Sequence, residues 1–128
     1  MKVLLDTHTL LWATLSPSKL SRRASALIAE TSNQIYVSAA SAWEIATKYR
    51  LGRLNFARKL VENFVPRTTA AGYTLLAVSI EHALRAGRLP GDHKDPFDRM
   101  LAAQAIYEDL PIISNDPCFD AFAVRREW

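Results

Sequence analysis

Four acidic residues, Asp6, Glu44, Asp98 and Asp116, are the side chains whose types and spacing could do chemistry. Asp6 and Asp116 each come directly after a predicted strand. Glu44 and Asp98 each fall in the first turns of a predicted helix. In a parallel sheet, the carboxyl ends of the strands and the starts of the helices that follow share one edge, where ligands of open α/β sheets bind. All four carboxylates are therefore expected to converge. Two carboxylates about 4 Å apart repel by roughly 4 kcal/mol at an effective dielectric near 20. Such a cluster needs a cation or shared protons. All-oxygen donors select hard ions, so Mg²⁺ or Mn²⁺ is expected rather than Zn²⁺. The chemistry that follows is metal-dependent phosphodiester hydrolysis.

Each acid also has a plainer role. Asp95-Pro96-Phe97-Asp98 reads as a helix opening with Asp95 as N-cap and proline first. Ser41-Ala42-Trp43-Glu44 fits a capping box, and Glu44 can pair with Lys48 four residues on. Asp6 and Asp116-Pro117 can cap the segments that follow them.

The elements that must position these acids follow from periodicity. Lys2–Leu5, Gln34–Val37, Tyr73–Val78 and Leu110–Ile113 read as strands, with Phe122–Val124 as a fifth at an edge. Helices are expected from Thr9 to before Ser16-Pro17, after a Ser21 cap, and from Ser38 to a stop at Gly52. Further helices are expected over Phe56–Phe64, over Ile80–Ala86 with Gly87 as stop, and from Pro96 through Tyr107. The last is apolar on nearly every side, as a helix with more than one packed neighbour would be. Trp12, Trp43 and Tyr49 lie at helical spacings and are expected in the core or an interface. Strands alternating with helices give the α/β class: a three-layer α/β/α sandwich around a parallel sheet of four to five strands.

At 128 residues the chain is read as one domain over residues 1–128, with no internal repeat. Apolar residues make up 49% and charged residues 23%, which argues against disorder. The single cysteine, Cys118, cannot form an internal disulfide, and no metal-binding Cys/His array is expected from one cysteine and three scattered histidines, His8, His82 and His93. No apolar run approaches the roughly 20 residues of a membrane helix, and Asp6 comes too early for a signal-peptide core. The expected location is cytoplasmic, with no membrane partner. Sixteen Lys+Arg against thirteen Asp+Glu leave a net charge of +3. Six of the bases lie between Lys48 and Arg67 beside one acid, Glu62, and read as a solvated face compatible with a phosphate-bearing partner.

Four segments resemble, in order, the motifs of PIN-domain proteins. They are Val3–Trp12, Ser38–Ile45, Asp95–Ala105 and Ile113–Asp116. The Asp-Thr-His-Thr-Leu-Leu-Trp start is similar especially to VapC-type toxins of bacterial toxin–antitoxin pairs. The resemblance implies a Mg²⁺- or Mn²⁺-dependent endoribonuclease held inactive by a VapB-type antitoxin, often as a homodimer within the complex. It carries the metal-binding and catalytic roles onto Asp6, Glu44, Asp98 and Asp116, with Glu44 acting through water. Ser114 fits the hydroxyl common beside the fourth acid. His93, Lys94 and Arg99, at the expected active edge, are candidates for RNA phosphate contact, and Arg99 could instead pair with an acid. Asp95, first a cap, and His8, first a packed structural histidine, could also orient the acids. The alternative is a catalytically inactive PIN-like module that binds RNA or antitoxin. A pure binder has no physical need for four converging charges. A haloacid-dehalogenase-like phosphatase would need an acid where His8 stands, and a phosphoacceptor receiver an Asp where Ser38 stands.

Overall fold

The computed structural model describes all of residues 1–128. Strands β1 (Lys2–Leu5), β2 (Gln34–Ser38), β3 (Thr74–Leu76), β4 (Ile112–Ile113) and β5 (Arg126–Glu127) form one sheet in the order β3-β2-β1-β4-β5. Every pairing is parallel. The helices are α1 (Thr7–Leu15), α2 (Arg22–Ala29), α3 (Ala39–Arg50), α4 (Arg58–Glu62), α5 (Phe64–Ala70), α6 (Ile80–Arg88) and α7 (Pro96–Tyr107). No helix is long and apolar enough to cross a membrane.

Strand alternation builds the three layers. Val3 and Leu5 of β1 enter a core with Leu10 and Leu11 of α1, Leu27 of α2, Ile45 of α3 and Leu60 of α4. Leu4, between them, points the other way and packs with Leu101, Ala102 and Ala105 of α7 and with Phe119 and Phe122. The small residues along α7 let it lie close to its neighbours, and Leu101 to Ala105 are all buried. Buried Gln104 interrupts that apolar run without an unpaired group. It accepts from the Ser38 hydroxyl at the end of β2, and its amide donates to Ala77 O at 3.2 Å.

The chain leaves central β1 for β2 and β3, then returns across α6 and α7 to add β4 on the other side of β1. The strand order reverses between β1 and β4, so the crevice at their carboxyl ends is where this topology makes room for a ligand.

Several expected boundaries shift for local reasons. The Ser41–Glu44 capping box does not form. α3 begins at Ala39 with Ser38 as its cap, accepting from Ala40 N–H at 2.9 Å, which places Ser41 inside the helix. The helix expected over Phe56–Phe64 is two short ones broken at Asn63, and Pro66 sits in the first turn of α5, where its missing N–H is not needed. Gly87 does not stop α6, which ends at Arg88 with Leu89 as its C-cap. Phe122–Val124 is not a strand: Phe122 is buried in the α7-side core and Ala123 takes φ 48°, so pairing with β4 begins only at Arg126.

Leu101→Ala is expected to cost about 2–5 kcal/mol of stability, because the fully buried site cannot collapse around the loss. Leu84→Ala, on an exposed side chain, is expected within about 0.5 kcal/mol of the parent. Urea unfolding of both variants measures the contrast.

Candidate active site

Asp6 sits where β1 gives way to α1, in the middle of the sheet. As the N-cap of α1 it accepts from Thr9 N–H at 2.7 Å through Oδ1, and its Oδ2 accepts from the Ser114 hydroxyl. The Thr9 hydroxyl donates to Ile113 O at 2.8 Å, fastening α1 to β4. The carboxyl is only 4% exposed. Burial pushes its pKa above the ordinary aspartate value, and the bonds from Ser114 and Thr9 and the nearness of His8 pull part of the way back.

Ser114, fully buried just past β4, joins two of the acids. While donating to Asp6 it accepts from Asp116 N–H at 3.0 Å. Asp116 is exposed and caps the 3-10 turn Pro117–Ala121, its Oδ1 accepting from Cys118 N–H at 2.9 Å. With both bonds committed and no surface exposed, Ser114 positions Asp6 and Asp116 and cannot meet a phosphate, which corrects its expected substrate role.

Asp98 opens onto the same crevice from the first turn of α7. Its Oδ2 lies 2.8 Å from His93 Nε2 and 3.9 Å from Cys118 Sγ. Desolvation pushes this carboxyl up, the His93 hydrogen bond lowers it, and the charges of Asp95 and Glu44 raise it further. Asp95 is the N-cap, accepting from Phe97 N–H at 2.9 Å and Asp98 N–H at 3.2 Å. Glu44, buried on α3, holds Lys48 Nζ on Oε2, while Oε1 is buried with no hydrogen-bond partner at all. The Thr7 hydroxyl donates to Ser41 Oγ at 3.1 Å and ties α1 to α3 beside it.

The acids share one electrostatic neighbourhood but do not close into a single cluster. Asp98 feels the charge of Glu44. The Cys118 thiol is pushed well up by burial and then by the fields of Asp98, Asp116 and Asp6. No three of the four acids bring carboxylate oxygens within 4.8 Å of one another; His93, Asp98 and Cys118 do. Each carboxylate is turned toward its own partner, Ser114, Lys48, His93 or the Cys118 N–H, and like charges keep apart.

Other expectations are redirected. Arg99 pairs with no acid. Its guanidinium donates to Ala86 O at 3.2 Å, to His93 O at 3.0 Å and to Leu89 O, strapping the loop before α7 onto α6. His8 is exposed with its ring against Trp12 at 5.9 Å, so it is no packed core histidine. Trp43 is 61% exposed, edge-on to Phe97 at 4.7 Å, and so is not in the core. Lys94 is exposed beside His93. The sequence reading did not reach the site roles of Thr9 and Cys118. Their one available signal was position, three after Asp6 and two after Asp116, where capped backbone N–H groups lie.

A family model described as the PIN domain matches residues 3–125, nearly the whole chain. The chain belongs to the PIN-domain family. Solved structures agree in fold. A chain of the VapBC2 complex from Rickettsia felis, bound to a DNA fragment from its promoter, has TM-score 0.70 at 16% identity, covering 99% of this chain and 98% of that one. FitAcB from Neisseria gonorrhoeae has TM-score 0.66 at 20% identity, covering 98% and 96%. VapC20 of Mycobacterium tuberculosis, a Sarcin-Ricin loop cleaving toxin, has TM-score 0.61 at 17% identity, covering 95% of each chain. No curated protein has a matching sequence.

In this PIN domain burial disfavours the charged form of Asp6. Its folded-state pKa is raised, so its contribution favours folding below the unfolded-state pKa and is lost as pH rises through the folded value. Asp6→Asn keeps an acceptor for Thr9 N–H and removes the charge. Without added metal, this variant is expected to melt at or above the parent temperature at pH 7–8. The difference is expected to shrink as pH falls toward about 4, where aspartate is protonated. Thermal melts across that range in chelator measure it.

Proposed function

We propose that this PIN domain is a metal-dependent endoribonuclease, the toxin of a toxin–antitoxin pair, restrained by a VapB-type antitoxin protein. The observation that carries the reading is Glu44 Oε1, a buried carboxylate oxygen with no partner, on a side chain whose charge reaches Asp98. An orphaned buried acceptor costs about 1–3 kcal/mol or more when charged, and a cation or its water relieves that cost. The donor set fits such an ion: Asp6, Glu44, Asp98 and Asp116 offer only oxygen, the chemistry of Mg²⁺ or Mn²⁺. When bound, the ion supplies charge neutralisation and Lewis acidity for hydrolysis of an RNA phosphodiester.

The chain's own residues supply the positioning. Ser114 fixes the orientation of Asp6 and, through the Asp116 N–H, the start of the turn that presents Asp116. His93 holds Asp98 Oδ2, and Lys48 anchors Glu44 by one oxygen so that the other faces inward. Exposed Lys94 adds a cation beside the crevice for backbone phosphates. Asp95 acts on Asp98 only through the helix cap and through its charge.

The antitoxin reading draws on an apolar groove of about 310 Å³ lined by Val37, Ala42, Phe64, Val65, Leu75 and Leu76 at the end of β2 and β3. Val65 and Leu75 are exposed there. Such a groove takes apolar anchors, and an arginine offered by the same partner would neutralise the acids. A homodimer working in the cytoplasm, where its RNA and its antitoxin meet, completes the proposal.

Antitoxin-free protein is expected to cleave RNA at discrete positions in Mg²⁺ or Mn²⁺. Asp98→Asn, purified identically, is expected to lose about a hundredfold or more, as loss of a ligand commonly costs. Equal cleavage by the two would remove the assignment.

Mn²⁺ binding gives an independent readout. At one hundred times its dissociation constant a ligand adds about 2.7 kcal/mol, so melting should rise by several degrees in the parent and far less in Asp98→Asn.

A further inference from the structure

The one set of three metal-ligating atoms in contact range is not the acid quartet but His93, Asp98 and Cys118, whose ligand atoms all lie within 4.8 Å of one another. Asp98 is common to both groups. The other two bring nitrogen and sulfur, donors that Mg²⁺ does not seek and Zn²⁺ does. We propose that His93, Asp98 and Cys118 form a second metal site, selective for borderline-soft divalent ions such as Zn²⁺, whose filling takes Asp98 from the hard-cation site and stops phosphodiester cleavage.

The spacing suits a tetrahedral ion. Zinc–ligand distances of about 2.3 Å to sulfur and 2.0–2.2 Å to oxygen and nitrogen put S and O about 3.6 Å apart, and N and O about 3.4 Å apart. Cys118 Sγ is 3.9 Å from Asp98 Oδ2 and must approach by about 0.3 Å, and His93 Nε2, at 2.8 Å from the same oxygen, must move back by about 0.6 Å to admit the ion. Three protein ligands leave the fourth position to water.

The side chains are also held in place. The His93 ring stands edge-on to Phe122 at 5.7 Å, and its backbone carbonyl is gripped by Arg99. The Cys118 N–H is fixed to Asp116 Oδ1 at 2.9 Å. All three residues are partly exposed, so an ion has a path in. On binding, the thiol proton leaves to solvent, the imidazole proton moves from Nε2 to Nδ1, and no group is oxidised or reduced. The neighbouring charges of Asp116 and Asp6 reach the thiol and favour a cation beside it.

Co²⁺ is the probe, because a thiolate bound to it absorbs in the near ultraviolet. Titrating the parent with Co²⁺ is expected to give that band, saturating at one ion per chain. The band is expected to vanish in Cys118→Ser and to need about tenfold more Co²⁺ in His93→Gln, with folding checked by circular dichroism. A parent with no band, or a His93→Gln variant that saturates at the parent's concentration, would overturn the site. The inhibition arm rests on the nuclease reading. Zn²⁺ is expected to block Mg²⁺-supported cleavage at concentrations about tenfold lower for the parent than for Cys118→Ser, each measured against its own zinc-free rate. Equal Zn²⁺ sensitivity would overturn the regulatory role. Absence of cleavage in any metal would sink the nuclease reading and leave the absorbance result to decide the site.

Discussion

The hydrogen bond from Ser114 to Asp6 is the interaction on which the rest of the active edge depends. It ties the residue that follows the central strand to the one that follows its neighbour, at the place where the strand order reverses. Asp6 N–H donates to Ile113 O at 3.2 Å and the Thr9 hydroxyl to the same carbonyl, so three bonds close the seam between β1, α1 and β4. A carboxylate this buried is tolerable only because its oxygens are both occupied. The second lone pair on Ser114 then fixes Asp116. One side chain of three heavy-atom reach thus determines where two carboxylates stand.

Capping and the proposed metal-binding role are not competing uses of these acids. Asp6, Asp95 and Asp116 each cap the segment they precede, and the cap sets the direction in which the side chain leaves the backbone. A helix start already favours negative charge through its unpaired N–H groups. The parallel topology collects several such starts along one edge, and acids that cap them come to share one electrostatic neighbourhood without closing into a cluster. Glu44 differs, since it caps nothing. It is buried beyond the first turn of α3, half satisfied by Lys48, and its other oxygen has no structural purpose in the fold. That separates it from the caps, and it is the observation on which the proposed metal-dependent function rests.

A second polar system holds the helices that present the site. The Ser38 hydroxyl both caps α3 and donates to Gln104, and Gln104 reaches Ala77 O and His82 Nδ1. His82 in turn accepts from Ser79 N–H at 3.0 Å and bonds Glu108 at 2.9 Å. Every member is paired, so the network adds geometric definition to a core otherwise filled by alanine and leucine, whose packing alone allows slippage. It fixes α7 against α3 and α6, and with it the separation of Asp98 from Glu44.

By itself the sequence determined the α/β class, the strand cores, the helix openings at Asp6, Ser21, Asp95 and Asp116, and the places of Asp6 and Asp116 after strands and of Glu44 and Asp98 on helices. These follow from local rules: two- and 3.6-residue periodicities, cap preferences, and the geometry that any parallel sheet imposes. Only the tertiary structure decided what each polar side chain does there. Ser114 and Arg99 carry donors suited to phosphate, yet the first is enclosed between two acids and the second is spent on three backbone carbonyls of α6 and the loop after it. Cys118 and His93, twenty-five residues apart in the chain, become neighbours because the turn after β4 folds back over the start of α7. The failed strand at Phe122–Val124 has the same cause: Phe122 is claimed by the core, and Ala123 must turn to let it in. Which donor meets which acceptor depends on distances closed by the whole chain, and no local pattern encodes them.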